Sequence, residues 1–202
     1  MRLFLAFLAC FFITSAIHAQ LCIHTGLSSA FTFTTTVGRI KLDTVYCDSC
    51  IIRISIGNKR SGKTVQVIQY GSAFLYHDVF KKCENVRSYS TGLHSKVEVL
   101  DNDYGDLVVA DFNFDGKEDF AVIRESGVTQ GPLYSFYIQS VAGIFNYDKY
   151  LSETIVYFPE INRKKRTLTT YTLAGAIGVF ERIYKQDKLN KWKLVSKKLI
   201  TD

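Results

Sequence analysis

The stretch Asp111-Phe-Asn-Phe-Asp-Gly-Lys-Glu-Asp119 carries oxygen-bearing side chains at its first, third, fifth and ninth positions and a glycine at its sixth. Alternate residues of a tightly curved loop can direct their oxygens inward, and Ca²⁺ takes about six to eight oxygen ligands. The glycine permits the left-handed backbone that such a turn needs. The pattern predicts a calcium loop in which Lys117 binds through its backbone carbonyl and four residues bind through side chains: Asp111, Asn113, Asp115 and Asp119.

The flanks of this loop distinguish it from an EF-hand, whose loop joins two helices. Asp106-Leu-Val-Val-Ala110 precedes the loop and Phe120-Ala-Val-Ile123 follows it, and both segments are typical of strands. The closing acid also stands at position nine rather than twelve. The sequence therefore predicts a strand-loop-strand calcium site. The alternative is an acidic, glycine-containing hairpin turn that binds no metal.

Most of the remaining sequence has the pattern of strands separated by short turns. Alternation such as Phe180-Glu-Arg-Ile-Tyr184 predicts sheets with one packed face and one solvated face. The succession favours a mainly β fold, either an antiparallel β-sandwich or an open curved barrel. One short helix is predicted over 76–86. The predicted strands are 31–36, 51–56, 64–70, 107–111, 119–123, 133–140, 154–158, 167–171, 177–185 and 191–199.

The first 19 residues have the pattern of a secretory signal peptide. Arg2 is followed by an almost unbroken apolar run over 3–13, and the segment ends on the small residue Ala19. Cleavage before Gln20 would leave 20–202 as a single β-rich calcium-binding domain in the periplasm or outside the cell. The apolar run is shorter than the about 20 residues that span a bilayer, and no later segment approaches that length. We therefore expect no membrane span.

The cysteine content agrees with export. Removal of the leader leaves four cysteines, an even number that favours disulfide bonds in an oxidising compartment and permits three pairings. Zinc is an alternative, although the chain has only one of the two close pairs that a zinc ribbon contains. The disulfide candidates are Cys22, Cys47, Cys50 and Cys83.

Two basic segments are interpreted as turns. Gly57-Asn-Lys-Arg-Ser-Gly-Lys-Thr64 matches the phosphate-loop pattern, but a β-rich segment follows where a phosphate loop requires a helix. Asn162-Arg-Lys-Lys-Arg166 lies between strand-like segments and is interpreted as a solvated turn. The formal net charge of +6 favours acidic partners without identifying one. Nucleic acid is not expected because the chain contains no recognisable binding module.

No catalytic motif stands out. His24, His77 and His94 lack metalloprotease spacing, no G-x-S-x-G nucleophile elbow occurs, and the acidic cluster is assigned to the calcium loop. Neighbouring residues of an extended chain point in opposite directions, so His77 and Asp78 are interpreted as structural. The sequence therefore favours a protein that is not an enzyme.

The loop and its flanks resemble one FG-GAP-type repeat, and one copy cannot form a propeller. The longer run from 106 to 123, followed by Gly131-Pro132 and an aromatic strand, is similar to a family of exported bacterial proteins with a single such loop. That family includes periplasmic immunity proteins against peptidoglycan hydrolases and is related to inhibitors of invertebrate-type lysozyme. The resemblance covers residues 106 to the C-terminus. It implies a protein that binds and inhibits a muramidase or another peptidoglycan hydrolase.

The resemblance also indicates where a partner would bind. Segment 125–134 follows the strand that leaves the calcium loop, and an ion that stiffened its base would lower the entropic cost of association. An ordinary glycine-rich connection, with Tyr134 packed on a sheet, is the alternative. Two other functions stay open, namely a calcium-stabilised envelope module that binds a glycan or protein without inhibition, and a hydrolase with an unrecognised site. The candidate partner-binding residues are Ser126, Thr129, Gln130 and Tyr134.

Overall fold

The structure is a computed structural model that describes residues 20–42, 45–72, 83–94, 104–126, 131–155 and 157–201, with the backbone alone described at 20, 39–42 and 45–48. Within these ranges the chain forms thirteen strands in three sheets and two short helical turns. The predicted mainly β fold is confirmed. One cluster of buried apolar side chains draws on all three sheets.

The first sheet contains four antiparallel strands in chain order. Ile52, Ile54 and Ile56 are completely buried, and the residues between them are half-buried or exposed, so one face of the sheet packs into the core. The segment that matches the phosphate-loop pattern is the hairpin turn between the last two strands, as predicted. The strands are β1 (Gln20–His24), β2 (Phe31–Leu42), β3 (Val45–Asn58) and β4 (Thr64–Ser72).

The central sheet contains five strands, of which the first two are parallel and the others antiparallel. Both of its faces are covered. Phe120 packs edge-on against Phe33 of the first sheet with ring centroids 5.3 Å apart, whereas Phe136 faces the other way and packs against Phe112 and Phe158. The strands are β5 (Val86–Ser88), β6 (Leu107–Ala110), β7 (Asp119–Glu125), β8 (Leu133–Gln139) and β9 (Phe145–Tyr147).

The third sheet contains four antiparallel strands in chain order. Leu168, Tyr184 and Trp192 are buried, but most of the last strand is exposed. The basic run 162–166 lies at the first turn of this sheet, as predicted. The strands are β10 (Glu160–Asn162), β11 (Thr167–Leu173), β12 (Val179–Gln186) and β13 (Trp192–Ile200).

The predicted strand over 154–158 is wrong. A π-helical turn occupies Leu151–Ile155, and Tyr157 forms only an isolated bridge. The Asp148 side chain accepts a hydrogen bond from the Leu151 amide at 2.9 Å, and its carbonyl accepts one from the Ser152 amide at 3.0 Å. This cap satisfies backbone groups that a strand would have paired across a sheet.

The predicted helix over 76–86 is only partly described. Residues 73–82, which include His77 and Asp78, lie outside the described ranges, and Val86 begins β5 instead of ending a helix. Val86 pairs with Leu107 in the parallel ladder, so tertiary pairing determines its conformation. The predicted strand over 177–185 begins later, at Val179, because Gly175–Ile177 forms a 3₁₀ turn.

A disulfide bond joins Cys22 of β1 to Cys83, with Cα atoms 5.2 Å apart. Cys50 is buried in the core, and the side chain of Cys47 lies outside the described part of the molecule. The predicted use of disulfides is thus confirmed for one pair. None of the helical segments described in the structure has the length and apolar character needed to cross a bilayer.

Candidate functional site

The loop 111–119 connects β6 to β7, so the predicted strand-loop-strand arrangement is confirmed. Ala110 and Asp119 are directly paired in the antiparallel ladder, which closes the base of the loop. All of β6 and the first five residues of β7 are buried, and the polar loop therefore emerges from a well-packed part of the central sheet.

The backbone of the loop winds around the carboxylate of Asp111. One oxygen of Asp111 accepts the amide of Asp115 at 3.0 Å, and the other accepts the amide of Gly116 at 2.9 Å. The side-chain oxygen of Asn113 accepts the same Asp115 amide at 3.1 Å. Gly116 has a φ of 86°, a left-handed conformation that costs glycine little. Residues 111 and 113 are therefore on the inner side of the curve, as their spacing predicts.

Asp119 is completely buried and connects the loop to β8. One carboxylate oxygen accepts the amides of Phe112 at 2.9 Å and Asn113 at 3.4 Å, and the other accepts the amide of Gln139 at 2.8 Å. Burial raises the pKa of Asp119 to about 7, while the three amide donors act in the opposite direction by stabilising the carboxylate. Asp119 thus has a structural role in addition to its predicted role as a ligand.

Asp115 is paired with the neighbouring lysine. One of its oxygens accepts the Lys117 amide at 2.9 Å, and the other lies 2.9 Å from the Lys117 ammonium. Burial acts to raise the pKa of Asp115, but the hydrogen bonds from Lys117 and Asn113 outweigh it and the pKa is lowered. Both side chains are partly exposed, so this ion pair contributes little stability and the ammonium can move into solvent.

The loop carries the oxygen atoms that a calcium site needs. In the structure, these oxygens accept hydrogen bonds from the amides of the loop itself. Among the residues that the structure describes, no three His, Cys, Asp or Glu side chains are grouped in a way that could hold a metal ion. The ligand atoms are nevertheless all oxygens, the class that Ca²⁺ prefers. A carboxylate has about four lone-pair positions, and the two amides bonded to Asp111 occupy only two of them. The residues therefore suit Ca²⁺ by ligand type, whereas their side chains are not grouped as a metal site in the structure.

Two residues of the loop that are not predicted ligands attach it to the other sheets. The Glu118 carboxylate accepts a hydrogen bond from the Ser28 hydroxyl and another from the Ser29 amide at 3.1 Å, both in the turn between β1 and β2. Phe114 packs edge-on against Trp192 of β13 with centroids 6.4 Å apart. The loop thus contacts all three sheets. Sequence analysis missed both contacts, because each joins residues that are far apart in the chain.

The candidate partner-binding residues do not form one described surface. Ser126 follows β7 and is half-buried, whereas Thr129 and Gln130 lie outside the described ranges. Tyr134 is completely buried, and its hydroxyl accepts the Tyr104 amide at 3.1 Å and donates to the Gly105 carbonyl at 3.0 Å. Tyr134 therefore matches the packing alternative, and we do not retain it as a residue that contacts a partner.

No family model matches the chain, and no match was found among curated proteins or among solved structures.

Proposed function

We propose that the protein is an exported calcium-binding protein that binds and inhibits a muramidase or another peptidoglycan hydrolase. The observation that carries the calcium part is the loop between β6 and β7, which is curved around the Asp111 carboxylate and held at its base by buried Asp119. The hydrolase part rests on the family resemblance of residues 106 to the C-terminus.

The ligands in this proposal are the side chains of Asp111, Asn113, Asp115 and Asp119 and the carbonyl of Lys117. A bound Ca²⁺ would offset the negative charge of the acidic side chains and fix the geometry of the loop. In the structure, the Lys117 ammonium offsets part of the negative charge of Asp115. We expect it to leave the carboxylate when the cation binds.

Export is supported by the disulfide between Cys22 and Cys83, since disulfide bonds are typical of oxidising compartments. Cys22 lies just after the predicted cleavage position, so the bond would attach the start of the mature chain to the body of the protein.

A binding role is supported by the way β7 connects the loop to the candidate partner segment. β7 runs from Asp119 to Glu125, and its first five residues are buried. Ser126 follows directly, so a rigid strand separates the proposed ion site from the beginning of segment 125–134. A surface that is held rigid before it meets a partner loses less conformational entropy on association.

Calcium binding is tested by thermal unfolding with excess calcium or with a chelator. The chelator should lower the melting temperature, because a ligand at about 100 times its dissociation constant stabilises the native state by about 2.7 kcal/mol. Asp115→Ala should abolish most of this shift. Asp187→Ala, a matched change in another turn, should retain it. Identical melting curves with and without calcium would exclude the proposed ion site.

Inhibition is tested by adding the pure protein to a panel of muramidases acting on peptidoglycan. We expect at least one enzyme to be inhibited, with weaker inhibition by Ser126→Arg and unchanged inhibition by Ser61→Arg, an exposed change in the turn between β3 and β4. Release of peptidoglycan fragments by the protein alone would instead identify a hydrolase. Absence of inhibition across the panel, with calcium binding intact, would favour the envelope-module alternative.

A further inference from the structure

A cavity of about 350 Å³ lies where the candidate calcium loop meets the third sheet. The loop contributes one residue, the turn between β10 and β11 contributes another, and the end of β12 with its following turn contributes the remainder. This volume is in the range of small-molecule sites in proteins. The principal lining residues are Phe114, Arg166, Lys185, Gln186, Lys188 and Asn190.

Three of these residues have an unusual backbone conformation. Phe114, Arg166 and Asn190 have φ values of 60°, 53° and 58°, and they are the only non-glycine residues of the described chain with positive φ. A left-handed conformation is unfavourable for most non-glycine residues, although asparagine tolerates it better. Such conformations cluster at functional sites. Three separate turns each place one such residue at the same cavity.

The cavity is strongly basic. Arg166, Lys185 and Lys188 line it, and none of the three forms an ion pair with a carboxylate of the described residues. A concave surface lined by charges of one sign concentrates its field and attracts ligands of the opposite sign. The expected ligand therefore carries a negative charge.

Asp187 is the one acidic residue that lines the cavity, and its carboxylate is already engaged. One oxygen accepts the amides of Leu189 at 2.8 Å and Lys191 at 3.0 Å, and the other lies 3.0 Å from the Lys193 ammonium. Asp187 shapes the turn between β12 and β13, and its charge is balanced by Lys193. It therefore does not cancel the positive charge of the cavity.

The other lining groups suit a sugar. Gln186 and Asn190 carry amides that can both donate hydrogen bonds to hydroxyls and accept them. Phe114 supplies an apolar ring that can cover the C–H face of a pyranose, and its contact with Trp192 holds it in place. The buried indole nitrogen of Trp192 has no hydrogen-bond acceptor among the described residues. Cations, amides and an aromatic ring thus converge on one small concave site.

We propose that this cavity binds an acidic saccharide, with the carboxylate of the ligand near Arg166, Lys185 and Lys188 and its ring against Phe114. A concave site of this size fits a sugar unit better than a protein loop, which requires a wider contact surface. The proposal goes beyond the proposed function and does not require that the protein inhibit a hydrolase.

The test is a titration with N-acetylmuramic acid that follows fluorescence of Trp192, the only tryptophan of the chain. N-acetylglucosamine, which has the same ring without the lactyl carboxylate, and inorganic phosphate are the comparison ligands. Side-chain amide shifts of Gln186 and Asn190 in NMR spectra provide a second readout. We expect saturable binding of the acidic sugar and affinities weaker by about tenfold or more for both comparison ligands, because each lacks half of the recognised groups.

A pair of double variants locates the site. Lys185→Gln with Lys188→Gln should weaken binding of the acidic sugar by about tenfold, because two charged contacts are lost. Lys164→Gln with Lys165→Gln removes the same charge from exposed positions that do not line the cavity, and should change the affinity by less than about twofold. No response of Trp192 or of the amides to the acidic sugar would overturn the proposal. The proposal would also be overturned if the two double variants lost the same affinity for the acidic sugar. The same holds if the protein bound the neutral sugar or phosphate as tightly as the acidic sugar.

Discussion

The central sheet and the C-terminal hairpin of β12 and β13 are both rich in apolar residues but have opposite environments. All four residues of β6 and the first five of β7 are buried, whereas eight of the nine residues of β13 are exposed. The central sheet is covered on both faces, whereas β12 is mostly half-buried and β13 is mostly exposed. Apolar content alone therefore does not determine burial. The number of layers packed on a strand does.

The two regions also differ in charge. Residues 107–147 contain two basic and five acidic residues, a formal charge of −3, whereas 179–200 contain seven basic and two acidic residues, a formal charge of +5. The hairpin thus accounts for most of the net charge of +6 of the chain. The acidic loop 111–119 and the basic hairpin meet at Phe114 and Trp192. We infer that the central sheet determines stability and that the hairpin determines which ligands approach.

The largest expected difference in stability between the central sheet and the hairpin concerns two phenylalanines. Phe120 is completely buried and its ring contacts those of Phe33, Tyr137 and Phe145, so Phe120→Ala should lower the free energy of unfolding by about 3–5 kcal/mol. Phe180 of β12 is only half-buried and its main partners are two cationic side chains, so Phe180→Ala should cost about 0.5–1 kcal/mol. Chemical denaturation measures both. Equal losses would show that the hairpin is as much a part of the core as the central sheet.

A smaller effect is expected from two aspartates that each organise a turn. Asp119→Asn puts an amide group in place of an oxygen that accepts buried backbone amides, and an unsatisfied buried donor costs about 1–3 kcal/mol. Asp187→Asn makes the same change at an exposed turn. Water can replace the lost hydrogen bond there, so the loss of unfolding free energy should be smaller. Denaturation in the presence of a chelator excludes any contribution from bound calcium. A larger loss of unfolding free energy from Asp187→Asn than from Asp119→Asn would contradict this expectation.

Sequence analysis predicted the central sheet well because its signals are local. Three of its strands are visible as apolar runs in the sequence itself, at 107–111, 119–123 and 133–140. The spacing of acidic residues and glycine predicted the loop between the first two. β5 and β9 were missed because each is three residues long and gains its conformation from pairing. The π-helical turn was missed because the Asp148 cap outweighs the β-branched residues that follow it.

The surroundings of the loop could not be predicted, because they depend on contacts between distant segments. Glu118 binds a turn that is about 90 residues away in sequence, and Phe114 meets Trp192 across two sheets. The predicted strands 177–185 and 191–199 imply a turn between them, but the approach of that turn to Phe114 and Arg166 was not predicted. A cavity built from three turns has no local sequence signal. Only the packing of the third sheet against the loop reveals it.

The smallest effect concerns pH and the turn between β12 and β13. Hydrogen bonds from the Lys191 amide and the Lys193 ammonium lower the pKa of Asp187 below its usual value of 3.8. A carboxylate whose pKa is lower in the folded state contributes stability above its unfolded pKa and loses it as the pH falls through the folded value. Acidification below about pH 4 should therefore loosen this turn.

NMR amide shifts recorded between about pH 5 and about pH 2 measure this effect residue by residue. The amides of Leu189 and Lys191, which donate to Asp187, should titrate, and those of Leu107 and Phe120 in the central sheet should not move in that range. Asp187→Asn should remove the titration of the turn, because the only carboxylate bonded to those amides is gone. High salt should reproduce part of the loosening by screening the contact with Lys193. If the central amides moved together with those of the turn, the hairpin would unfold with the core as one cooperative unit, and its separate role in ligand approach would lose its physical basis.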